Sequence, residues 1–439
     1  MNNNFALPSK KFLFVSWESL SGDLAWQAKK EGHQVLSYIK NETDQDVFDG
    51  FIDKIDRNED WKGYIGWADV VVFDDCGFGK IADELRKKGK LVVGGSEYTD
   101  RLEENREFGQ TEMKNAGMLV LPHWDFSNFD SAIKFLRENP GRYVFKPNYT
   151  VGIGADFHEL LFLGEEDDGK DILEILESNQ KYLQSKIKSF QLQKFASGVE
   201  IAVGAFFNGE DFIYPINVNF EHKRLFPGEI GPFTGEMGSL VYWSQPNKIF
   251  KETLERIKDN LKESGYVGYI DINCIVNARG IYPLEWTCRF GFPTINIQME
   301  GILTPMGEFL YRLANKENFE LKTKKGFQVG VVVALTPYIS DDPQDIKNYH
   351  NLSILFRRPN PNLEGIHLGD VKLVDGQLRV AGVSGYILIV TGSGQTVEEA
   401  RKQTYNRVKN IRLQNMFYRV DIGTRWYQDS DKLQIWGYL

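Results

Sequence analysis

Cysteine and histidine are scarce in this sequence, and neither is spaced for a metal or redox centre. Only three cysteines occur among 439 residues, at positions 76, 274 and 288. None of them forms a CxxC pair, so the sequence indicates neither a disulfide framework nor a zinc site. The six histidines include no pair at i and i+4, which argues against a zinc hydrolase. We expect a protein of a reducing, intracellular compartment.

Long apolar runs and an excess of positive charge are also missing. No apolar run reaches membrane-spanning length, and the N-terminus lacks the charged-then-apolar pattern of a signal peptide. The chain carries 52 Lys and Arg against 61 Asp and Glu, a net charge of −9. Such a chain does not suit the neutralisation of many nucleic-acid phosphates. We therefore expect no nucleic-acid partner, no membrane partner and a cytoplasmic location.

Apolar runs and helical patterns alternate at the start of the chain. Phe12–Val15, Val35–Ile39, Val70–Phe73 and Leu91–Val93 are predicted strands, with helices over 23–32 and 80–88. This alternation predicts a parallel sheet, whose ligands bind beyond the carboxyl ends of the strands. Those ends are residues 16–22, 74–79 and 94–96. Their glycines suit either ligand contact or tight turns.

A predicted hairpin between Gly268 and Gly291 carries the clearest chemistry. Two apolar, β-branched runs flank the turn Asn277-Ala-Arg-Gly280. Because strand side chains alternate, Asp271 shares a face with Asn273, and Glu285 shares one with Thr287 and Arg289. Two carboxylates on adjacent strands suit Mg²⁺ holding a nucleotide polyphosphate. The alternative is an ordinary hairpin with a solvated polar face.

Three further segments have a functional pattern. The strand Tyr143–Lys146 runs into a loop with Gly152 and Gly154, which suits phosphate, although no P-loop follows. Glu200 follows a turn, where it could bond a ribose hydroxyl or remain a solvated charge. The Gly- and charge-rich loop 222–239 is longer than a simple connection requires. Residues 101–116 and 251–264 are each predicted as one helix.

Past residue 325 the pattern changes to that of a small α+β domain. Strands are predicted at 329–333, 368–374, 377–380 and 386–390. Asp375-Gly376 is a hairpin turn signal. A long helix begins after Thr396, with Glu399 as its capping-box partner.

These pieces together resemble the ATP-grasp enzymes, and among them the phosphoribosylamine–glycine ligase family. The resemblance rests on residues 223–238, Glu285-Trp-Thr-Cys-Arg-Phe-Gly291, residues 375–386 and Met416-Phe-Tyr-Arg-Val-Asp-Ile-Gly423. It implies an α/β protein with three parts: an N-terminal parallel-sheet domain (1–105), an ATP-grasp domain of two α+β subdomains (106–321) and a small C-terminal α+β domain (322–439).

The resemblance also implies an activity and a set of site residues. The activity is ADP-forming ligation of a carboxylate to an amine through an acyl phosphate, with ATP and Mg²⁺ or Mn²⁺, in a monomer or homodimer. Glu285 matches a metal ligand of the family, Thr287 stands where the family has Asn, and Asp271 stands where other ATP-grasp ligases carry a metal-binding acid. The implied residues are Arg289, Arg224 and Lys223 for catalysis; Arg106, Lys146, Gln193, Phe195 and Glu200 for the nucleotide; Asp271, Glu285 and Thr287 for the metal; and Asp74, Asp75, Thr234, Glu236 and Phe292 for substrates.

The sequence departs from the family where substrates should bind. Glu18-Ser-Leu-Ser-Gly-Asp23 replaces Gly-Gly-Arg-Glu-His, Asp74-Asp-Cys76 replaces Gly-Pro-Glu, Phe292-Pro-Thr294 replaces Asp-Pro-Glu, and Glu236 replaces a glycine. Four acids, Glu18, Asp23, Asp74 and Asp75, would repel a phosphate. This predicts poor use of phosphoribosylamine, unless the acids face solvent and backbone amides bind the phosphate. Two functional alternatives stay open: the same ligase chemistry on another amine or amino acid, and a nucleotide-binding regulator without ligase activity.

Overall fold

A five-stranded parallel sheet forms the N-terminal layer, as the sequence predicts. The structure, a computed structural model, describes residues 7–148, 160–336, 343–359 and 362–439. The sheet order is β3-β2-β1-β4-β5. All four residues of the fourth strand are buried, as expected where helices cover both faces. The elements are β1 (Lys11–Ser16), β2 (Gln34–Ile39), β3 (Asp53–Lys54), β4 (Val70–Phe73), β5 (Leu91–Val93), α1 (Gly22–Lys30), α2 (Gly79–Lys87) and α3 (Glu97–Glu104).

The single helix expected over residues 101–116 is wrong. The structure ends α3 at Glu104 and begins α4 (Arg106–Asn115) after Asn105. The Asn105 side chain accepts a hydrogen bond of 3.0 Å from the backbone N–H of Phe108. Asparagine competes with the helical backbone in this way, so it starts a second helix rather than continuing the first.

A separate four-stranded sheet follows, with the order β6-β9-β7-β8. Its elements are β6 (His123–Phe126), β7 (Tyr143–Pro147), β8 (Phe162–Leu163), β9 (Phe190–Lys194), α5 (Phe129–Glu138) and α6 (Lys170–Lys186). One sheet face packs with the two helices around Phe129, Phe145 and Phe190, in a hydrophobic core of its own. The predicted glycine loop, with Gly152 and Gly154, lies outside the described residues.

A nine-stranded sheet forms the centre of the molecule. Its path is β16-β15-β10-β11-β14-β17-β22-β19, and β24 pairs with β17. The elements of the region up to residue 314 are β10 (Val199–Phe207), β11 (Phe212–Glu221), β12 (Arg224–Phe226), β13 (Ile230–Phe233), β14 (Gly238–Ser244), β15 (Gly268–Asn277), β16 (Gly280–Thr287), α7 (Lys248–Glu252), α8 (Lys258–Glu263), α9 (Thr294–Gly301) and α10 (Met306–Ala314). The predicted hairpin turn at Asn277–Gly280 is confirmed.

The C-terminal region shares this sheet. Its elements are β17 (Phe327–Leu335), α11 (Pro343–Tyr349), β18 (Leu355–Phe356), β19 (Ile366–Leu368), β20 (Val371–Val374), β21 (Gln377–Val380), β22 (Tyr386–Gly394), α12 (Val397–Val408), β23 (Ile411–Arg412), β24 (Met416–Phe417) and α13 (Trp426–Ile435). β17 pairs with β14 from Gly238 opposite Val331 to Tyr242 opposite Phe327. The sheet is therefore continuous across residue 322, and the division into domains there stays a prediction.

Local signals in the C-terminal region are confirmed, whereas three longer segments differ. The Asp375-Gly376 turn joins β20 to β21, and Thr396 and Glu399 form the capping box of α12. The expected strand over 368–374 is interrupted between β19 and β20. The expected helix over 251–264 contains a 3₁₀ turn between α7 and α8. The loop 222–239 holds the hairpin β12–β13. In the described ranges, no helix has the length and apolar character needed to cross a membrane.

Candidate active site

The register of β15 and β16 places the predicted metal ligands on one sheet face. Asp271 lies opposite Thr287, and Asn273 lies opposite Glu285. Ile272 and Trp286 pair on the other face and are buried. A register shift after Asn273 leaves Leu284 without a cross-strand partner. Around Asp271, polar residues therefore lie on one face of the hairpin and apolar residues on the other, as predicted.

Asp271 is a buried carboxylate with a free oxygen. Its side chain is 2% exposed, and Oδ1 has no hydrogen-bond partner in the described part of the chain. Burial, and then the charge of Glu221, raises the pKa of Asp271 well above its ordinary value. A buried, unsatisfied oxygen of this kind calls for a cation, a proton or a ligand.

Lys223 lies within a cluster of three carboxylates on the same side of the sheet. Its Nζ is 2.8 Å from Glu285 Oε1, 3.3 Å from Glu221 Oε2 and 3.7 Å from Glu200 Oε1. Burial acts to lower the pKa of Lys223, but the charges of Glu285, Glu221 and Glu200 raise it well above its ordinary value. The lysine is therefore a fixed cation beside the predicted metal face.

Glu221 was missed by the sequence analysis. It is buried at the end of β11, and this burial is the largest of the effects that raise its pKa. The signal was present, because Asn217, Asn219 and Glu221 alternate with Ile216, Val218 and Phe220 along the strand. A strand with one fully polar, buried face indicates a site rather than a core.

The predicted nucleotide residues line the facing four-stranded sheet and the edge of β10. Lys146 lies opposite Gln191. Burial, and then the charge of Arg106, lowers the pKa of Lys146 to about 8, while Glu285 opposes this change. Gln193 is buried with Nε2 unpartnered in the described ranges, so it has a donor to offer a ligand. Glu200 belongs to β10 and lies near Lys223.

Two other predicted nucleotide residues are engaged by the protein. Arg106 Nη1 donates to the carbonyl oxygens of Lys146 at 3.3 Å and Pro147 at 3.0 Å, so it braces the end of β7. The guanidinium carbon of Arg142 lies 3.6 Å from the centre of the Phe195 ring. Neither contact tests a role with the nucleotide.

Arg289 joins the ATP-grasp region to the N-terminal layer. Its Nε lies 3.0 Å from Asp75 Oδ1 and 3.0 Å from Glu103 Oε1. Glu103 also accepts a hydrogen bond of 2.6 Å from the Cys288 N–H. Sequence reasoning missed Glu103, since no local pattern links residues 186 positions apart. Arg289 is thus held by Asp75 and Glu103, next to the sheet face that carries the predicted metal ligands.

The structure gives partners to three of the four acids whose charge is expected to repel a phosphate. Asp23 Oδ2 lies 2.7 Å from His367 Nδ1, Asp74 Oδ2 accepts from the Ser21 N–H and hydroxyl at 2.9 and 2.8 Å, and Asp75 pairs with Arg289. Partial desolvation, then the charges of Asp44, Asp75 and Asp74, raises the pKa of Glu18 to about 7. Arg289 compensates the charge of Asp75 only in part, since Glu103 shares the arginine, and the serine hydrogen bonds of Asp74 leave its charge in place.

Arg224 is not brought into the carboxylate cluster. Its Nη1 donates to the Gly231 carbonyl at 2.7 Å, and its guanidinium carbon lies 3.7 Å from the centre of the Phe233 ring. Consecutive residues of an extended chain point in opposite directions, so Arg224 faces away when Lys223 faces the site. Thr234 is buried and its hydroxyl donates to the Lys223 carbonyl at 2.8 Å.

Hydrogen bonds and ion pairs from the C-terminal segment hold the hairpin β12–β13 in place. Arg419 is fully buried, and its Nη1 donates to the Arg224 carbonyl at 2.7 Å. Its Nη2 lies 2.6 Å from Glu229 and 2.7 Å from Asp421. The Gly423 N–H donates to His222 Nε2 at 3.0 Å. This network fixes the position of the residue next to Lys223.

Glu236 and Phe292 lie on the side of the site near β22. Glu236 is 5% exposed, and its backbone N–H lies 3.4 Å from the Tyr386 hydroxyl. The Phe292 ring packs edge-on against Tyr386 with centroids 5.5 Å apart. The structure thus brings together two of the predicted substrate residues around Tyr386.

Comparisons with known proteins agree with this geometry. The sequence model of the phosphoribosylglycinamide synthetase ATP-grasp (A) domain matches residues 104–295, and that of the C domain of the same synthetase matches residues 328–425. A phosphoribosylamine–glycine ligase of Streptococcus suis is 24% identical over 370 residues, covering 82% of this chain and 84% of its own. The ligase of Listeria monocytogenes is 25% identical over 358 residues, covering 79% and 81%.

Solved structures share the fold. The phosphoribosylamine–glycine ligase of Thermotoga maritima superposes with a TM-score of 0.69 at 20% identity, over 94% of this chain and all of that one. A biotin carboxylase of Campylobacter jejuni superposes with a TM-score of 0.63 at 12% identity, over 97% and 96%. The two matched domains together cover about two thirds of the sequence, and the chain belongs to the phosphoribosylglycinamide synthetase family of ATP-grasp proteins.

Proposed function

We propose that this protein is an ADP-forming ligase that joins the carboxylate of glycine to the amine of phosphoribosylamine. The observation that carries the proposal is the sheet face holding Asp271, Glu285 and Thr287, with the ammonium of Lys223 2.8 Å from Glu285. The names of the relatives supply the two substrates. Contacts within the protein hold Asp23, Asp74 and Asp75, which weakens the charge-based objection to phosphoribosylamine.

The residues present fit a divalent metal. Asp271 offers a buried oxygen without a partner, Glu285 and Thr287 add hard oxygen ligands, and Mg²⁺ prefers such ligands. All three donors are oxygens, which suit Mg²⁺ and Mn²⁺ alike, so either ion is proposed. When bound, the metal would neutralise phosphate charge during transfer of the γ-phosphoryl group.

The chain's own residues position the reactants. Lys146 and Gln193 bind the nucleotide from the four-stranded sheet, and Glu200 bonds the ribose. Lys223 and Arg289 supply positive charge beside the γ-phosphate and the acyl phosphate. The substrate carboxylate attacks the γ-phosphorus and releases ADP; the amine nitrogen then attacks the acyl carbon, loses a proton and expels phosphate. Such a site works by holding reactants in place and excluding water.

The test is coupled product formation. Purified protein is supplied with ATP, Mg²⁺, glycine and freshly made phosphoribosylamine, and ADP and glycinamide ribonucleotide are quantified together. We expect one product per ADP and kcat/KM of about 10⁴ M⁻¹s⁻¹ or above. ADP release that does not depend on either substrate would contradict the proposal.

Location and assembly belong to the same proposal. All three cysteines are unpaired, which suits the cytoplasm. We propose a monomer or homodimer, to be distinguished by sedimentation.

A further inference from the structure

Glu236 is a buried carboxylate with no role in the ligase chemistry described above. It lies between β13 and β14 and is 5% exposed. Oε1 has no partner in the residues the structure describes, and Oε2 is 3.5 Å from the Thr294 hydroxyl, a long contact. Burial, and then the charge of Glu221, raises the pKa of Glu236 well above its ordinary value. A carboxylate is not buried in this way without cost unless something donates to it.

Other oxygens without partners lie on the same side of the sheet. Asn219 and Asn273 both lie opposite Ala202, one on each neighbouring strand, and both are buried. The Asn219 Nδ2 lies 3.4 Å from the Tyr269 hydroxyl, and the Asn273 Nδ2 lies 3.4 Å from Glu221. These contacts orient the amides, and Oδ1 of each is left without a partner in the described chain.

The unpartnered oxygens of Glu236, Asn219 and Asn273 are hydrogen-bond acceptors, whereas the buried Ser239 hydroxyl beside Glu236 can donate. Asp271 Oδ1 belongs to the same set of acceptors. A set of acceptors is satisfied by a ligand that brings several donors and positive charge. A primary ammonium group brings three N–H donors and one charge.

We propose that Glu236 binds the ammonium group of the amino-acid substrate and so selects amino acids over other carboxylic acids. This inference rests on the proposed function, since it assigns a binding site to the ammonium group of the amino acid whose carboxylate is activated. The edge-on pair of Phe292 and Tyr386 stands beside Glu236 and forms an apolar wall. The wall suits a small amino acid such as glycine.

The experiment compares glycine with glycolate, in which a hydroxyl replaces the ammonium. For Glu236→Gln we expect the KM for glycine to rise about 50-fold and the preference for glycine over glycolate to fall by a similar factor. The KM for ATP should change by less than about threefold. Glu236→Asp, which keeps the charge, should retain part of the preference. It also serves as the second variant if Glu236→Gln does not fold.

Glu221→Gln is the matched control, because Glu221 is a buried glutamate of the same sheet face that contacts Lys223 rather than Thr294. It should alter the dependence on Mg²⁺ or ATP and lower the preference for glycine much less than Glu236→Gln does. An unchanged KM and preference in Glu236→Gln would overturn the inference. So would a loss of Mn²⁺ affinity in Glu236→Gln with an unchanged preference, which would make Glu236 a metal ligand.

Calorimetric titration of glycine into the complex with a non-hydrolysable ATP analogue separates the two proposals. Glycine binding that depends on Glu236, without any ligation by the unmodified protein, would support the inference and contradict the proposed function. Ligation with glycine binding that is the same in both proteins would support the function and contradict the inference. No glycine binding to the unmodified protein would overturn the inference.

Discussion

The ammonium nitrogen of Lys223 lies 2.8 Å from a carboxylate oxygen of Glu285, a proposed metal ligand. A fixed positive charge this close opposes a divalent cation, by an amount on the order of 2–8 kcal/mol at 4 Å. We expect Lys223→Met to tighten Mn²⁺ binding without nucleotide about tenfold, measured by electron paramagnetic resonance. ADP formation should fall, because the lysine also holds phosphate. The exposed Lys248→Met is the control, and equal Mn²⁺ affinity in all three proteins would contradict this.

The two acids of the metal face should each be indispensable. Asp271→Asn and Glu285→Gln remove one charged ligand and keep side-chain volume. Losing several kcal/mol of charge stabilisation lowers the rate well over a hundredfold. Steady-state ADP release at moderate Mg²⁺ checks this, with circular dichroism to show that both variants fold. Ordinary turnover by either variant would remove that residue from the metal site.

Arg289→Lys should cost more than the retained charge suggests. The arginine contacts Asp75 and Glu103 at 3.0 Å each, and an ammonium cannot reproduce the geometry of the guanidinium. We expect kcat to fall between tenfold and a hundredfold. Glu103→Gln is the matched control, because it keeps the arginine and weakens its support; it should lower kcat less. Full kcat and KM in the lysine variant would make Arg289 purely structural.

The network around Glu229 predicts a loss of stability in acid. Partial burial acts to raise the pKa of Glu229, but hydrogen bonds from His222 and Arg419 lower it to about 2. A lowered pKa in the folded state contributes stability above about pH 4.5, and this is lost as the pH falls toward 2. The contribution is about 2 kcal/mol after allowance for solvent screening of a partly exposed group.

Urea unfolding at pH 6 and pH 3 measures that contribution. The unmodified protein should lose about 2 kcal/mol more than Glu229→Gln between the two pH values. If the free energy of unfolding fell by the same amount in both proteins, the Glu229 contacts would not matter for stability.

Removing everything after Lys325 should prevent folding rather than merely lower activity. β17 covers the edge of β14, and Val329, Val331 and Val333 are fully buried. Without it, a central strand becomes an exposed edge that pairs with other chains. Size-exclusion chromatography should show aggregates. A monodisperse, folded fragment would contradict this.

Local patterns predicted the parallel sheet and the face shared by Asp271 and Glu285, because period-two alternation depends only on neighbouring residues. The contacts of Arg289 with Glu103 and of Lys223 with Glu285 were not predictable in the same way. They depend on which distant strands pair, and that is settled by packing over the whole chain. The break at Asn105 was predictable in principle, since asparagine favours helix starts.

The continuity of the nine-stranded sheet bears on how it and the separate four-stranded sheet can move. Asp271 and Glu285 belong to a sheet that runs from β16 to β19 and includes C-terminal strands, and Lys223 follows β11 of the same sheet. The four-stranded sheet has its own core and carries Lys146 and Gln193. Gln191 of this sheet is held by Gln110 of α4 through two buried hydrogen bonds of 3.0 Å each. A movement of the four-stranded sheet away from the nine-stranded sheet would withdraw the proposed nucleotide contacts and leave the proposed metal ligands in place. Nucleotide exchange would then not disturb the nine-stranded sheet.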